Sequence, residues 1–281
     1  MAVMPMRTLM ALLLLMTGLA TVGAELRVAV SIPPLLDFVR QVGGDRVEAE
    51  LLVPPGADPH TYEIRPAQMR FLAQARLLVV VGLGLEWWLE DVVSAAGNPE
   101  LEVVMTSKGI AAIDGDPHIW LDPLNAVLQV AAIRDALIRA DPAGRLTYEI
   151  NAARYISRIL ALHEEIEEKI SSWTHREFVA LHGAWAYFAR RYGLKQLAVI
   201  VPYPGREPSA REVARITALI RERGIPAIFV EVQHPPGVAE LIAAETGAAL
   251  VTLDPLGGVP GLEDYLSLMR YNLERMEKAL G

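Results

Sequence analysis

The chain of 281 residues contains no cysteine. That absence excludes disulfides, thiolate metal centres, a cysteine nucleophile and a cysteine-linked lipid. Histidine is scarce, with six residues, and aromatic residues make up only 6% of the chain. Basic residues number 26 against 34 acidic ones, a formal charge of −8, and the two signs are interspersed. With no basic stripe to follow a phosphate backbone, nucleic acid is not an expected partner. No His-Glu-x-x-His or Gly-x-Ser-x-Gly occurs, and the glycines of "VGLGLEWW" lack the third glycine and acidic partner of a dinucleotide fingerprint. Beyond the N-terminus no stretch approaches the roughly 20 apolar residues that a membrane span needs.

What is present is apolar and ordered in its patterning. Hydrophobic residues make up 52% of the chain, enough for one large or two small cores. Residues 1–24 read as a secretory signal peptide: Arg7, an apolar run of about a dozen residues, then Val22-Gly23-Ala24 before the cut. Thr17, Gly18 and Thr21 weaken the alternative of a membrane anchor. Loss of Arg7 leaves 25 basic residues against 34 acidic, or −9. A freely soluble protein of a periplasm is expected.

Short β-branched and leucine-rich runs alternate with helical patterns. "LRVAVS", "AELLV", "RLLVVVG" and "LEVVM" fall before residue 106, and "FVAL", "LAVIV", "AIFVE" and "ALVTL" fall after residue 177. Continuous apolar strands separated by helices predict parallel sheets covered on both faces. Between the two sets, residues 141–173 place Tyr148, Ala152, Tyr155, Ile159, Leu162 and Ile166 on one face at steps of three and four. One long amphipathic helix follows from that spacing. The expected fold is therefore α/β with two lobes, each a parallel sheet of about four strands flanked by helices. N-terminal lobe 25–140 and C-terminal lobe 174–281 are joined by the rigid helix of 141–173, leaving a cleft between them.

The histidines sit where such a fold binds ligands. His182 follows "FVAL", Asp254 follows "ALVTL", His60 lies in the proline-rich loop after "AELLV", and His118 lies in the loop after "LEVVM", before a helix that Asp122 or Pro123 starts. Open α/β sheets hold ligands at the carboxyl ends of their strands, so four potential metal ligands, two per half, face the cleft. His60 and His118 each end an Asp-Pro-His, in "GADPHTYE" and "GDPHIWLDP". Proline stiffens the loop and lowers the entropy lost when the imidazole is fixed. Three imidazoles and a carboxylate suit zinc, and the same donors hold other first-row ions. Asp58 and Asp116 are candidates to orient the imidazoles, against a turn or cap role for each. His163, beside Glu164 and Glu165, is placed on a solvated face and His175 on the surface. His234 is a reserve ligand near a strand end, and Glu86 and Glu231, also near strand ends, are candidates to orient ligands or to face a membrane partner.

"SIPPLLDFVRQVGGDRVEAELLVPPGADPHTYEIRPAQM", "VGLGLEWWLED", "DPHIWLDPLNA", "LHGAWAYFARRYGL", "EPSAREVARI" and "LDPLGG" together resemble the metal-receptor branch of the substrate-binding proteins that serve bacterial ABC importers of zinc or manganese. The resemblance covers nearly the whole mature chain. It implies two lobes bridged by a long helix, ligands at His60, His118, His182 and Asp254, and an inner-membrane ABC permease as partner. It also implies a monomer carrying Zn(II) as transported ligand, with Mn(II) the alternative, and leaves room for a periplasmic metallochaperone as donor. Histidine at the third ligand position is the zinc type of the family, and the His- and acid-rich loop of many zinc receptors is missing before His118.

Other residues carry mainly structural expectations: Trp87, Trp88, Trp120 and Trp185 as core, against a role walling the cleft from water, and Arg206 with Glu207 as helix-capping residues. Ligand histidines must be neutral, so affinity is expected to fall as pH drops toward about 6.5. The rival from another class is a secreted zinc hydrolase using His60, His118 and His182 with an open fourth position. A third is a binding module for a chelated metal, which needs a wide aromatic cleft.

Overall fold

The computed structural model describes residues 25–113, 115–202 and 206–281. The expected signal peptide lies outside them. Eight strands form two separate sheets, both wholly parallel. The first contains β1 (Leu26–Val30), β2 (Val47–Leu51), β3 (Leu77–Val80) and β4 (Glu102–Met105), in the order β2-β1-β3-β4. The second contains β5 (Glu177–Ala180), β6 (Lys195–Val199), β7 (Ala227–Glu231) and β8 (Ala249–Leu253), in the order β6-β5-β7-β8. Each sheet thus repeats one topology, with a switch of direction beside its first strand, where the carboxyl ends open a crevice.

Helices α1 (Pro33–Gly43), α2 (Pro66–Leu72), α3 (Leu89–Ala96) and α4 (Pro123–Ala140) belong to the first sheet. Asp122 caps α4 by accepting from Leu124 N, with Pro123 at its first position, where proline costs no hydrogen bond. The linking helix α5 is Arg145–Ser171. It is shorter than 141–173, because Pro142 and Gly144 fold into a 3-10 turn ahead of it. Its 27 residues rise about 40 Å. In the second lobe α6 (Ala186–Tyr192), α7 (Ala210–Arg223), α8 (Gly237–Thr246) and α9 (Tyr265–Leu280) cover the sheet.

All six residues read as the face of the long helix are buried, and α5 packs on α1, α4 and α9. Alternation decides the layers: Val28, Val30, Leu77 and Val79 face α1 and α4, while Ala29, Leu78 and Val80 face α2 and α3. One apolar core runs from β1 through α5 to Phe178, Phe229 and Leu253 of the other sheet. A continuous core of this kind resists hinge motion, because opening the lobes would expose it.

Polar contacts lock the lobes as well. The fully buried Trp120 donates through Nε1 to Pro255 O at 2.7 Å, and Tyr265 Oη donates to Trp120 O at 2.8 Å. Asp37 of α1 accepts from Tyr155 Oη of α5 and from Tyr265 N of α9. Arg191 pairs with the buried Asp122 at 2.7 Å, and Tyr187 Oη donates to Asp116 O at 2.9 Å. The loop carrying His118 is therefore held from the opposite lobe.

Several expectations are corrected. His163 is half-buried, and its Nδ1 lies 2.9 Å from Tyr192 Oη, tying α5 to α6 rather than facing solvent. Trp88, Trp120 and Trp185 are buried, but Trp87, in the turn leading to α3, is exposed. Arg206 and Glu207 do not cap α7; Ser209 and Glu212 form a reciprocal capping box there, and Arg206 pairs with Glu212. Glu86 orients no histidine; buried, it accepts from Val81 N and Gly82 N, both at 2.9 Å. That clamp holds the turn in which Leu83 has φ 56°, a left-handed conformation that costs a branched side chain energy. Burial of Glu86 raises its pKa.

Candidate metal centre

Each candidate ligand is placed by a different strand end. β2 leads into a loop whose Asp58 side chain accepts from His60 N at 2.9 Å. β4 leads into a second loop whose Asp116 accepts from His118 N at 2.8 Å. The repeated Asp-Pro-His is thus an Asx turn with a proline at its centre: the carboxylate binds the amide two residues on and aims the histidine. Asp116 does more, since the same Oδ1 lies 2.7 Å from His118 Nδ1. Asp58 shows only the turn contact. His182 stands two residues past β5, and its Nδ1 lies 3.0 Å from Glu231 Oε2 at the end of β7.

The three imidazoles converge. Ring centroids are 5.2 Å apart for His60 and His118, 5.3 Å for His60 and His182, and 4.9 Å for His118 and His182. His60 Nε2 and His118 Nε2 are 3.3 Å apart. A tetrahedral zinc ion with Zn–N bonds of about 2.0–2.1 Å has an N···N edge of about 3.3–3.4 Å, so this pair already spans one edge. With Nδ1 of His118 and of His182 turned to carboxylates, Nε2 is left to each as the inward donor. His60, His118, Trp120, His182, Pro255 and Leu256 leave about 10 Å³ between them for the centre of a water-sized sphere. That is room for one small particle, on the order of 10–15 Å³, and not for a chelate.

Asp254 is buried directly after β8, but it is outside the group of donors that lie within 4.8 Å of one another. Its Oδ1 is engaged by Leu256 N, Gly257 N and Gln233 Nε2. The structure instead adds Glu231 and His234 beside His182 as a second group within the same limit. Strand-end position marks both residues in the sequence. That Glu231 meets Nδ1 of His182 is a cross-strand matter invisible there, since the two residues are 49 apart in the chain while β5 and β7 are neighbours in the sheet.

Electrostatics separate the imidazoles. Burial, reinforced by the neighbouring His118 and His182, lowers the pKa of His60 to about 4. Burial and His182 lower that of His118 to about 3. Both are neutral, and ready to bind a cation, far below pH 6.5. His182 is also buried, which opposes its charge, but the hydrogen bond and charge of Glu231 outweigh burial and raise its pKa. Glu231 shows the complement: burial pushes its pKa up, His182 pulls it down, and the net shift is down. Burial raises Asp116 to about 6. In place of three imidazoles near 6.5 there is one whose pKa lies above its usual value and two whose pKa lies well below it.

Two α/β lobes on a rigid helical strut, with three imidazoles converging on space for one ion, define a metal-binding receptor of the substrate-binding type. Residues 28–279 match the family of the zinc-uptake complex component A, periplasmic (ZnuA), and the chain belongs to that family. It is 28% identical over 282 residues to the high-affinity zinc uptake system protein ZnuA of Bacillus subtilis, covering 92% of this chain and 88% of that one. It is 30% identical over 276 residues to the manganese-binding lipoprotein MntA of Halalkalibacterium halodurans, covering 94% and 91%. A crystal structure of ZnuA, 34% identical, superimposes with a TM-score of 0.83 over 91% of this chain and 99% of that one. The Mn-bound periplasmic metal-binding protein of Candidatus Liberibacter asiaticus, 25% identical, does so with 0.84 over 92% and 100%. The family is one of transport receptors and not of enzymes.

Proposed function

We propose that the chain captures Zn(II) in the cleft and delivers it to an inner-membrane ABC permease. The observation that carries this reading is the convergence of His60, His118 and His182, two of them already 3.3 Å apart and kept neutral by burial. Three nitrogen donors favour zinc over manganese, whose preference is for oxygen. Asp254 is the fourth ligand in this proposal, through Oδ2, the oxygen that carries none of the three bonds to Oδ1. The boundaries 25–140, 141–173 and 174–281 serve as lobe, strut and lobe. Small loop shifts suffice for loading, because the shared core and the cross-lobe bonds of Trp120 and Tyr265 oppose wide opening.

In this reading the protein acts as a monomer, free in the periplasm after removal of residues 1–24. No helix among the described residues is long and apolar enough to cross a membrane, and the chain has no cysteine to lipidate. Manganese is the second reading, favoured by the relatives named for that ion. Calorimetric titration of the mature, untagged, chelator-stripped chain with zinc and then manganese, alongside His182→Ala, decides between them. One-to-one zinc binding that the substitution weakens sharply, with manganese far poorer, is expected. Equal or stronger manganese binding reverses the metal, and binding of neither ion overturns the receptor reading.

A further inference from the structure

His234 has no part in the inner set of donors, yet it is aimed at it. It lies three residues past the end of β7, in a tight turn closed by His234 N donating to Glu231 O at 3.2 Å. Its ring centroid is 4.7 Å from that of His182, and its Nε2 is 3.6 Å from Glu231 Oε2. Glu231 Oε1 is buried and has no hydrogen-bond partner, in a residue 4% exposed. An anionic oxygen left without a donor in such a place is costly unless something positive reaches it. His182, Glu231 and His234 bring their donor atoms within 4.8 Å of one another, and His182 belongs to both groups.

The two groups differ in what lies beyond them. Both groups border the space of about 10 Å³, while only His182 and His234 among them also border a cavity of about 450 Å³, together with Asp58, Arg206, Glu207 and Val238. His182 and His234 border that wider space, whereas His60 and His118 do not, so an ion coming through it meets His182 and His234 first. Because one imidazole cannot serve two ions at full strength, and two dications a few ångströms apart repel, the groups are filled in turn.

We propose that His182, Glu231 and His234 form an outer divalent-cation site that is occupied in alternation with the inner one and through which the ion enters and leaves. His182 serves the two groups in turn, and Glu231 and His234 are exchanged for His60 and His118 as the ion moves inward. The inference rests on the reading of the cleft as a divalent-cation receptor and adds to it a route and a second site.

Stopped-flow capture of Zn(II) and its removal by excess chelator, on the mature chain, test it with His234→Ala and the isosteric His234→Gln. Both variants are expected to slow capture and release by about tenfold, in the range that loss of a supporting metal group costs, so that equilibrium affinity moves less than either rate. Separately, His60→Ala/His118→Ala is expected to retain one weakly held Co(II), followed by its visible spectrum, and adding His234→Ala is expected to weaken that binding about tenfold or more. Unchanged rates in both single variants, with near-UV circular dichroism showing native packing, overturn the proposal. So does Co(II) binding in the double variant that is indifferent to His234. Failure of the unaltered chain to bind zinc overturns the receptor reading itself, a result distinct from these two.

Discussion

Lowering the pH from 7 to 5 separates this site from one built of ordinary imidazoles. Three histidines with pKa values of about 6.5 each bind a proton over that range and weaken the apparent metal affinity about 25-fold apiece, about 10⁴-fold together. Here His60, at about 4, and His118, at about 3, stay unprotonated and contribute almost nothing. His182 is the exception, with a raised pKa, so its proton must be displaced by the metal. The sign follows: binding is unimpeded above that raised pKa and weakens as pH falls through it, from a point above 6.5. His182 therefore supplies between about 25-fold and the limiting 100-fold of one proton over two pH units. Asp116, at about 6, adds up to about tenfold if its ionised form is needed to hold His118 Nδ1. The total is at most about 10³, a decade or more short of the ordinary case, and each decade is about 1.4 kcal/mol. Competition against a chelator of known pH dependence measures it, and calorimetry in buffers of different ionisation heat counts protons. About one to two protons released at pH 5.5 is expected; a release near three, with a 10⁴-fold loss by pH 5, refutes the assignment of the imidazole pKa values.

Replacing Glu231 by Gln removes the charge that orients His182 and holds its proton; zinc affinity measured by the same competition falls about 10- to 100-fold, and proton release near neutral pH shrinks. An unchanged proton count refutes that link. Trp120→Ala empties a fully buried site and cuts Trp120 Nε1 from Pro255 O, so denaturant unfolding shows a loss of about 3–5 kcal/mol. Asp37→Ala strands the buried Tyr155 hydroxyl and Tyr265 amide; about 2–4 kcal/mol of stability is lost in the same assay, with zinc stoichiometry unchanged.

The alternation of eight apolar runs with helical periods is legible in the chain because parallel strands buried on both faces cannot hide their hydrophobicity, and the strand ends follow from it. The edge of β2 is less legible: it pairs over Val47–Leu51, two residues before the apolar run, since pairing with β1 and not hydropathy sets its register. The start of α5 departs from the helical period for a local reason, the proline and glycine of 142–144. His163 departs from its solvated setting for a distant one, since Tyr192 is 29 residues away in the chain.

The sequence by itself determined which side chains can face the cleft, because strand ends, proline-stiffened loops and Asx turns are properties of a few consecutive residues. His60, His118 and His182 are identifiable on that basis. Only the tertiary structure decided how those side chains differ from one another. Burial depends on what the other lobe covers, and the partner of each imidazole has its own origin: Asp116 within the turn of His118, but Glu231 from a neighbouring strand for His182. A proton is held or refused according to that surrounding charge and exclusion of water, and neither quantity exists until the two sheets are folded against a common helix.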